Sequence, residues 1–175
     1  ELAFMSSIQA MLGSETRAIP VGRARMGLHL LVKLAVQGEK RRVLLSPFTI
    51  PDVVAMVVFA GGEPVFYDFE PGSTTASLDS IRKLIDARTA CVIVTHYHVN
   101  EWRLAEISEI CREHSARLFD DCAIAFGGRI DGRPIGTLTD ASVFSFSSFK
   151  LLNFFWGGLI TTRDPELADR LAGIV

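Results

Sequence analysis

Residues 42–68, RVLLSPFTIPDVVAMVVFAGGEPVFYD, decide the fold because they contain a complete strand–helix–strand unit. The aliphatic run at 42–46 and the aromatic-containing run at 64–68 are typical of strands. Between them, Pro51 at the start and a glycine pair at the end bound a predicted helix over 51–62. Strands that alternate with helices predict an α/β fold with a mostly parallel sheet.

The same alternation continues on both sides of this unit. Amphipathic helical spacing is found at 21–36, at 78–86 and at 104–114, and Asp164 followed by Pro165 is typical of a helix start. Further strands are predicted at 90–96, 116–121, 141–146 and 157–162.

The composition limits the classes of protein that the chain can represent. Its 175 residues, 49% of them hydrophobic, are enough for one domain with a sizeable core. The formal net charge of −2 and the lack of a basic stripe argue against a nucleic-acid partner. The sequence has no uninterrupted apolar run long enough to span a bilayer, so no membrane association is predicted.

The three cysteines, Cys91, Cys111 and Cys122, lie in apolar stretches without the CxxC or Cys/His spacing of zinc sites. We interpret them as buried thiols, predict no metal site, and expect a reducing, cytoplasmic location. The chain begins with Glu1 and ends inside a helical pattern, so we expect residues 1–175 to be part of a longer protein.

Polar residues directly follow several predicted strands, at the edge where open α/β sheets bind their ligands. An acid pair such as Asp120 and Asp121 could hold magnesium. However, the GxxxxGK[ST] loop of phosphate-binding NTPases is missing, and the order of the acids does not fit a receiver-type phosphoacceptor site. His96 and His98 have metal-like spacing without further ligands, which favours a structural role.

The run FSFSSFK (144–150) leaves one more candidate. It is predicted to be a core strand that ends on a cation, Lys150. In strict alternation, Ser145 and Ser147 share one face of this strand while Phe144 and Phe146 take the other.

A lysine in such a place can form an imine with an aldehyde when its surroundings favour the neutral amine. Pyridoxal 5'-phosphate (PLP) needs this amine, a carboxylate for its ring nitrogen and donors for its phosphate. Lys150 offers the amine, and Asp121, followed by apolar residues, would be an isolated charge that a buried pyridinium relieves. Gly22, at the start of the predicted helix of 21–36, and the hydroxyl of Ser145 suit the phosphate.

Several ordered motifs together resemble the DegT/StrS-type sugar-nucleotide aminotransferases, a branch of the fold-type I PLP enzymes. Residues 43–68 resemble the family's pattern VIxPxFTFxATxxAVxxAGxxPVFxD, and LFDDCAIAFGG resembles EDxAQAxG. FSFSSFK resembles FSFxxxK, and WGGLITT resembles the GGxxxT strand that follows it. The likeness extends from about Val21 to Leu171, and the separation of Asp121 from Lys150 agrees with the family's pattern.

The resemblance implies a role for each matched residue. Lys150 would hold the cofactor through a Schiff base and later shuttle protons, and Asp121 would pair with the pyridine nitrogen. The phosphate would be contacted by Ser145, Gly22, Arg23 and Ala24.

The resemblance also implies an aspartate-aminotransferase-like large domain: a three-layer α/β/α sandwich whose mostly parallel sheet contains GGLITT as one antiparallel strand. Residues 1–175 would be this PLP-binding large domain without the family's small C-terminal domain. Family members transfer an amino group from an amino acid donor, commonly glutamate, to a nucleotide-linked keto-sugar in polysaccharide or antibiotic sugar biosynthesis. They are homodimers with shared active sites, and the aromatics at 153–156 suit either a core or such an interface.

The chain departs from the family's pattern at positions that would contact the cofactor. Ile124 replaces a glutamine or histidine, Ile50 replaces the aromatic residue that stacks on the ring, and Arg23 replaces a frequent threonine. Two hypotheses therefore stand. The first is a PLP-dependent aminotransferase of the sugar-nucleotide type, and the second is a non-catalytic remnant or assembly subunit that retains the aminotransferase fold.

Overall fold

A computed structural model describes residues 2–97 and 103–175 of the chain. The helices are α1 (Leu2–Leu12), α2 (Ala24–Ala35), α3 (Pro51–Phe59), α4 (Leu78–Leu84), α5 (Leu104–Glu113) and α6 (Pro165–Ala172). The strands are β1 (Arg17–Val21), β2 (Arg42–Leu45), β3 (Glu63–Phe66), β4 (Thr89–Thr95), β5 (Arg117–Asp121), β6 (Arg129–Ile130), β7 (Arg133–Pro134), β8 (Ala141–Ser145) and β9 (Gly158–Thr162).

Seven strands form one sheet in the order β1-β9-β8-β5-β4-β2-β3. Strand β9 pairs antiparallel with both of its neighbours, whereas the β8, β5, β4, β2 and β3 pairs are parallel. The predicted mostly parallel sheet with GGLITT as its antiparallel strand is therefore confirmed. Strands β6 and β7 form a separate short hairpin inside the long Gly-rich loop between β5 and β8.

Helices cover both faces of the sheet, which confirms the three-layer α/β/α sandwich. One core cluster contains buried residues of α2, α3 and α6, and the other contains buried residues of α1, α4 and α5. The alternation of a strand divides its side chains between the two clusters, as β5 shows, where Leu118 faces the α5 side and Phe119 faces the α2 side. Among the described residues, no helix combines the length and apolar character needed to cross a bilayer.

The predicted helix boundaries rest on local signals that the structure reproduces. Helix α3 begins at Pro51, and Gly61 follows its C-cap with a φ of +88°, the left-handed conformation that glycine adopts without a steric penalty. The side chain of Asp164 caps α6 by accepting hydrogen bonds from the N–H groups of Glu166 and Leu167. The strand β1 was not predicted from the sequence, because Pro20 interrupts it. The structure places it at the edge of the sheet, where proline is tolerated.

The start of β9 packs directly against the start of α2, and this contact requires glycine. A Cβ atom at Gly158 would lie 2.6 Å from the backbone nitrogen of Ala24 and 2.9 Å from the carbonyl carbon of Arg23. Both are backbone atoms, so neither can move aside as a flexible side chain would. The second glycine of the WGG motif is therefore what lets the N-terminus of α2 approach the end of the sheet.

We predict that Gly158→Ala lowers the free energy of unfolding by about 1–3 kcal/mol, because the added methyl group overlaps the α2 backbone. Gly22→Ala, in the turn that precedes α2, is a matched control, since a Cβ there has no heavy atom within 4 Å. Urea unfolding of the three proteins measures the difference. Equal stability of Gly158→Ala and the unsubstituted protein would contradict the predicted close approach.

Candidate active site

A small cavity lies where the carboxyl ends of β5 and β8 meet the N-terminus of α2. Its volume is about 110 Å³. It is lined by Arg23, Ala24, Arg25, Leu28, Ile50, Val53, Asp121, Ala123, Ser145, Ser147, Lys150 and Gly157. This is the edge of an open α/β sheet at which ligands bind, as the strand ends predicted.

The cavity brings together five of the six residues that the sequence singled out. Lys150, Asp121, Ser145, Arg23 and Ala24 all line it. The sixth, Gly22, lies in the turn that immediately precedes α2 and is not part of the lining. The residues thus converge from three separate parts of the chain, and what each of them does there stays a prediction.

Asp121 is the last residue of β5, and its side chain is 6% exposed. Its Oδ1 accepts a hydrogen bond of 3.1 Å from the backbone N–H of Ala123. Burial raises the pKa of this carboxyl above its usual value, and the Ala123 N–H and the positive charge of Lys150 only partly oppose the effect. A carboxylate held in this way favours a cationic partner inside the cavity.

The prediction that Lys150 ends a core strand is wrong, because β8 ends at Ser145. After that residue the chain turns back on itself: the N–H of Phe146 donates to the carbonyl of Gly157, and the N–H of Lys150 donates to the carbonyl of Ser147 at 3.3 Å. Lys150 therefore reaches the cavity from a turn rather than from the strand itself.

The predicted alternation of the FSFSSFK run is confirmed. Ser145 and Ser147 share the cavity side, where their hydroxyl oxygens lie 3.1 Å apart. Phe144 and Phe146 are buried in the opposite core, where both contact the ring of Phe126 edge-on with centroid separations of 5.5 Å. The apolar residues of the run fix its position, and the serines are left to face the cavity.

The N-terminus of α2 presents backbone donors to the cavity. Its N-cap residue, Arg23, has extended dihedral angles and no side-chain capping hydrogen bond. The first N–H groups of a helix have no partner within the helix, and the helix dipole adds partial positive charge there. Together with the hydroxyl of Ser145, this arrangement suits an anionic group.

The mouth of the cavity is apolar on one side and charged on the other. Ile50, the residue in the family's stacking position, lines it and is 57% exposed. Arg25 forms an ion pair with Asp52, and the exposed guanidinium of Arg23 lies 4.8 Å from the ring centroid of Trp156. Both arginines line the cavity.

Sequence reasoning missed several lining residues because they carry no reactive group. Leu28, Val53 and Ala123 contribute only apolar surface, and Gly157 contributes backbone at a φ of +110°. The glycine pair of the WGG motif was the one available signal, since it predicts a backbone position with special geometry. Ile124 is 38% exposed and is not among the lining residues.

A second polar cluster lies on the opposite face of the sheet. His96, Asp120 and Cys122 are all fully buried, and their potential ligand atoms lie within 4.8 Å of one another. Burial raises the pKa of the Cys122 thiol well above its usual range, which disfavours the thiolate that metal ions bind. The spacing alone could accommodate a metal ion, but the geometry fits a His–Asp pair beside a neutral thiol better. His98 lies outside the described residues.

The fold is that of the large domain of PLP-dependent transferases. Sequence comparison identifies the family within this class. The profile of the DegT/DnrJ/EryC1/StrS aminotransferase family matches residues 1–174. The chain therefore belongs to this family, as its motifs predicted.

Individual relatives share this assignment at modest sequence identity. The dTDP-4-dehydro-2,3,6-trideoxy-D-glucose 4-aminotransferase of Saccharopolyspora spinosa is 30% identical over 143 residues, 82% of this chain and 37% of that protein. The GDP-perosamine synthase of Vibrio cholerae is 28% identical over 153 residues, 87% of this chain and 42% of that enzyme. The crystal structure of the aminotransferase TlmJ from Streptoalloteichus hindustanus superposes with a TM-score of 0.88 at 32% identity, covering 97% of this chain and 47% of that one. The chain thus spans less than half the length of these relatives.

From the burial of Asp121 we predict how its substitution changes the free energy of unfolding. Because burial raises its pKa, this carboxyl stabilises the fold when protonated and destabilises it once ionised at higher pH. Asp121→Asn should therefore stabilise the cofactor-free protein at neutral pH, by roughly 1 kcal/mol. The gain should shrink as the pH falls from the raised pKa of Asp121 towards the ordinary aspartate pKa, and little of it should remain below that value.

Chemical unfolding across a pH series tests this prediction. Asp79→Asn is the control, because Asp79 has a side chain that is 85% exposed, and we expect little change for it at any pH. Destabilisation by Asp121→Asn at neutral pH would mean that neighbouring groups already compensate the carboxylate.

Proposed function

We propose that residues 1–175 are the PLP-binding large domain of an aminotransferase that acts on a nucleotide-linked keto-sugar. The observation that carries this proposal is the pairing of Lys150 with the buried carboxyl of Asp121 in one cavity. A protein with only a structural use for this fold would have no need to bury a carboxyl beside a lysine at the ligand-binding edge.

The donor set of the cavity fits PLP. Asp121, a buried carboxyl with a raised pKa, would be relieved by the cationic ring nitrogen of the cofactor. Ser145 and the backbone around Gly22, Arg23 and Ala24 would bind the phosphate, with the α2 dipole adding favourable charge. When bound, the cofactor supplies an aldehyde that captures amines and a protonated ring that withdraws electrons.

Lys150 would have two tasks in this arrangement. Its amine would hold the cofactor between turnovers, and it would afterwards carry a proton to and from the substrate carbon. Its place in a turn after β8, rather than in the strand, gives the side chain room to swing between these tasks while Ser145 stays fixed.

The substrate assignment draws on relatives whose names specify nucleotide-linked sugars. A cavity of about 110 Å³ is smaller than the roughly 300–1,000 Å³ typical of pockets for larger ligands. A nucleotide-linked sugar would therefore extend beyond this cavity. The amino donor proposed from the family resemblance is glutamate.

The loop from Ser147 to Trp156 supports the proposal of a homodimer with a shared active site. Phe149, Phe155 and Trp156 are 101%, 71% and 67% exposed, and the first two adopt positive φ angles of 69° and 64°. Bulky residues rarely adopt this conformation or this exposure without a functional reason. Phe154 instead packs against the buried ring of Phe146, with ring centroids 5.9 Å apart. One aromatic residue of 153–156 therefore contacts the core, and the exposed ones remain available for a dimer interface.

The second hypothesis, a non-catalytic subunit that keeps the fold, is favoured by two residues. Ile124 and Ile50 cannot supply the polar and aromatic cofactor contacts expected at their positions. Cofactor binding separates the two hypotheses. For either, the three free, buried cysteines support a reducing, cytoplasmic compartment.

We predict that adding PLP produces a visible absorbance band, roughly at 400–430 nm, as expected for a lysine-bound form of this cofactor. Lys150→Ala should abolish the band, and Lys83→Ala, which removes an exposed lysine of α4, should retain it. Borohydride reduction followed by peptide mass mapping locates the modified amine. A band that persists in Lys150→Ala would refute the lysine assignment, and no band in the unsubstituted protein would favour the non-catalytic hypothesis.

We predict that Phe149→Ser combined with Phe155→Ser converts a dimer to a monomer, because both rings are exposed on the loop from Ser147 to Trp156. Phe59→Ser is the matched control, since Phe59 is also 71% exposed but lies on α3. Sedimentation velocity measures the oligomeric state. A dimer that survives the double substitution would place the interface elsewhere.

A further inference from the structure

A chain of buried polar side chains lies on the face of the sheet opposite the cavity. Nε2 of His96 is 3.3 Å from Oδ1 of Asp120, and both side chains are fully buried. The hydroxyl of Ser142 donates to Oδ2 of Asp120 at 3.3 Å, and the hydroxyl of Thr139 lies 3.3 Å from that of Ser142. His96 directly follows β4, Asp120 lies in β5, and Ser142 and Thr139 lie in β8 and in the loop before it.

Burying these polar side chains in apolar surroundings costs free energy of folding. Asp120 lies between Leu118 and Cys122 on a strand face that otherwise contributes to an apolar core. A buried ion pair is often no more stabilising than well-packed apolar residues of similar volume. Stability alone therefore does not explain why a carboxyl and an imidazole are placed here.

Both members of the pair are tied to Asp121. Asp120 precedes it directly in β5, so the two carboxyls project from opposite faces of the same strand end. The backbone N–H of His96 donates to the backbone carbonyl of Asp121 at 3.0 Å, one residue beyond the register pair Thr95 and Asp121. This backbone bond holds the two strand ends together, and the side-chain contact between His96 and Asp120 lies on the opposite face of the sheet from the cavity.

The pair also contributes to the electrostatic environment of Asp121. His96, when protonated, lowers the pKa of the Asp121 carboxyl, and the neighbouring carboxyl of Asp120 raises it. The other titratable groups near this strand end are Lys150, which also lowers the pKa of Asp121, and Cys122, whose thiol remains protonated.

We propose that His96 and Asp120 are positioning residues that fix the orientation and the charge state of Asp121 from the opposite face of the sheet. Neither residue lines the cavity, so neither would touch the cofactor or the substrate. The cofactor-related part of this inference rests on the proposed PLP function, but the coupling to Asp121 does not.

The experiment follows the carboxyl carbon of Asp121 by ¹³C NMR in the cofactor-free protein as the pH is changed. Asp121→Asn identifies the signal. The test variants are His96→Gln and Asp120→Asn. Asp140→Asn is the matched control, because Oδ2 of Asp140 accepts from the N–H of Leu118 at 2.7 Å and so anchors the same strand at its other end.

We expect opposite shifts of the Asp121 titration midpoint: upward in His96→Gln and downward in Asp120→Asn. Asp140→Asn should lower stability without moving the midpoint. Binding of PLP, followed by quenching of tryptophan fluorescence, should weaken about tenfold in each test variant, the scale of coupling between residues in contact. If His96→Gln does not fold, the nearly isosteric Asp120→Asn carries the test alone.

Midpoints that stay fixed, or that shift in the same direction in both test variants, would reduce the pair to a structural role and overturn the proposal. Zinc bound in stoichiometric amount and lost in His96→Gln would overturn it in another way, by making the cluster a metal site. If the unsubstituted protein binds no PLP while the opposite shifts are observed, the proposed function fails and the coupling to Asp121 stands.

Discussion

The burial of one carboxyl, that of Asp121, is the constraint on which the rest of the site depends. A carboxylate loses most of its hydration at the end of a central strand and receives only one backbone hydrogen bond in return. Its pKa rises as a result, and the cavity around it favours a cation. The charge of Lys150 partly compensates this carboxyl, and the N–H of Ala123 holds it in place.

The topology of the sheet supplies the compensation. Because β5 and β8 are parallel neighbours, Asp121 and the chain that leads to Lys150 emerge at the same edge. The antiparallel strand β9 then returns beside β8, and Gly158 allows the start of α2 to approach within backbone contact. The positive end of a helix, a lysine and a carboxyl thereby meet within one small cavity, although they are far apart in sequence.

The sequence by itself determined the layers and most of the strands, and it singled out candidate site residues that the structure brings into one cavity. Strand and helix periodicity depends on local side-chain pattern, so β2, α3 and β3 could be predicted from residues 42–68 alone. Caps such as Asp164 and the glycine after α3 are equally local. The pairing of an aspartate with a lysine followed from chemistry, because few cofactors need both groups, and from a motif spacing that resembles a known family.

Only the tertiary structure decided what depends on neighbours distant in the chain. It placed Pro20 in an edge strand, ended β8 at Ser145 so that Lys150 lies in a turn, and added apolar residues such as Val53 to the cavity. It also joined His96 to Asp120 across two strands, a contact that no spacing in the sequence specifies. Asp121 is buried because the whole sheet packs between its helices, and this burial alters its pKa. A local sequence pattern carries no information about such long-range packing.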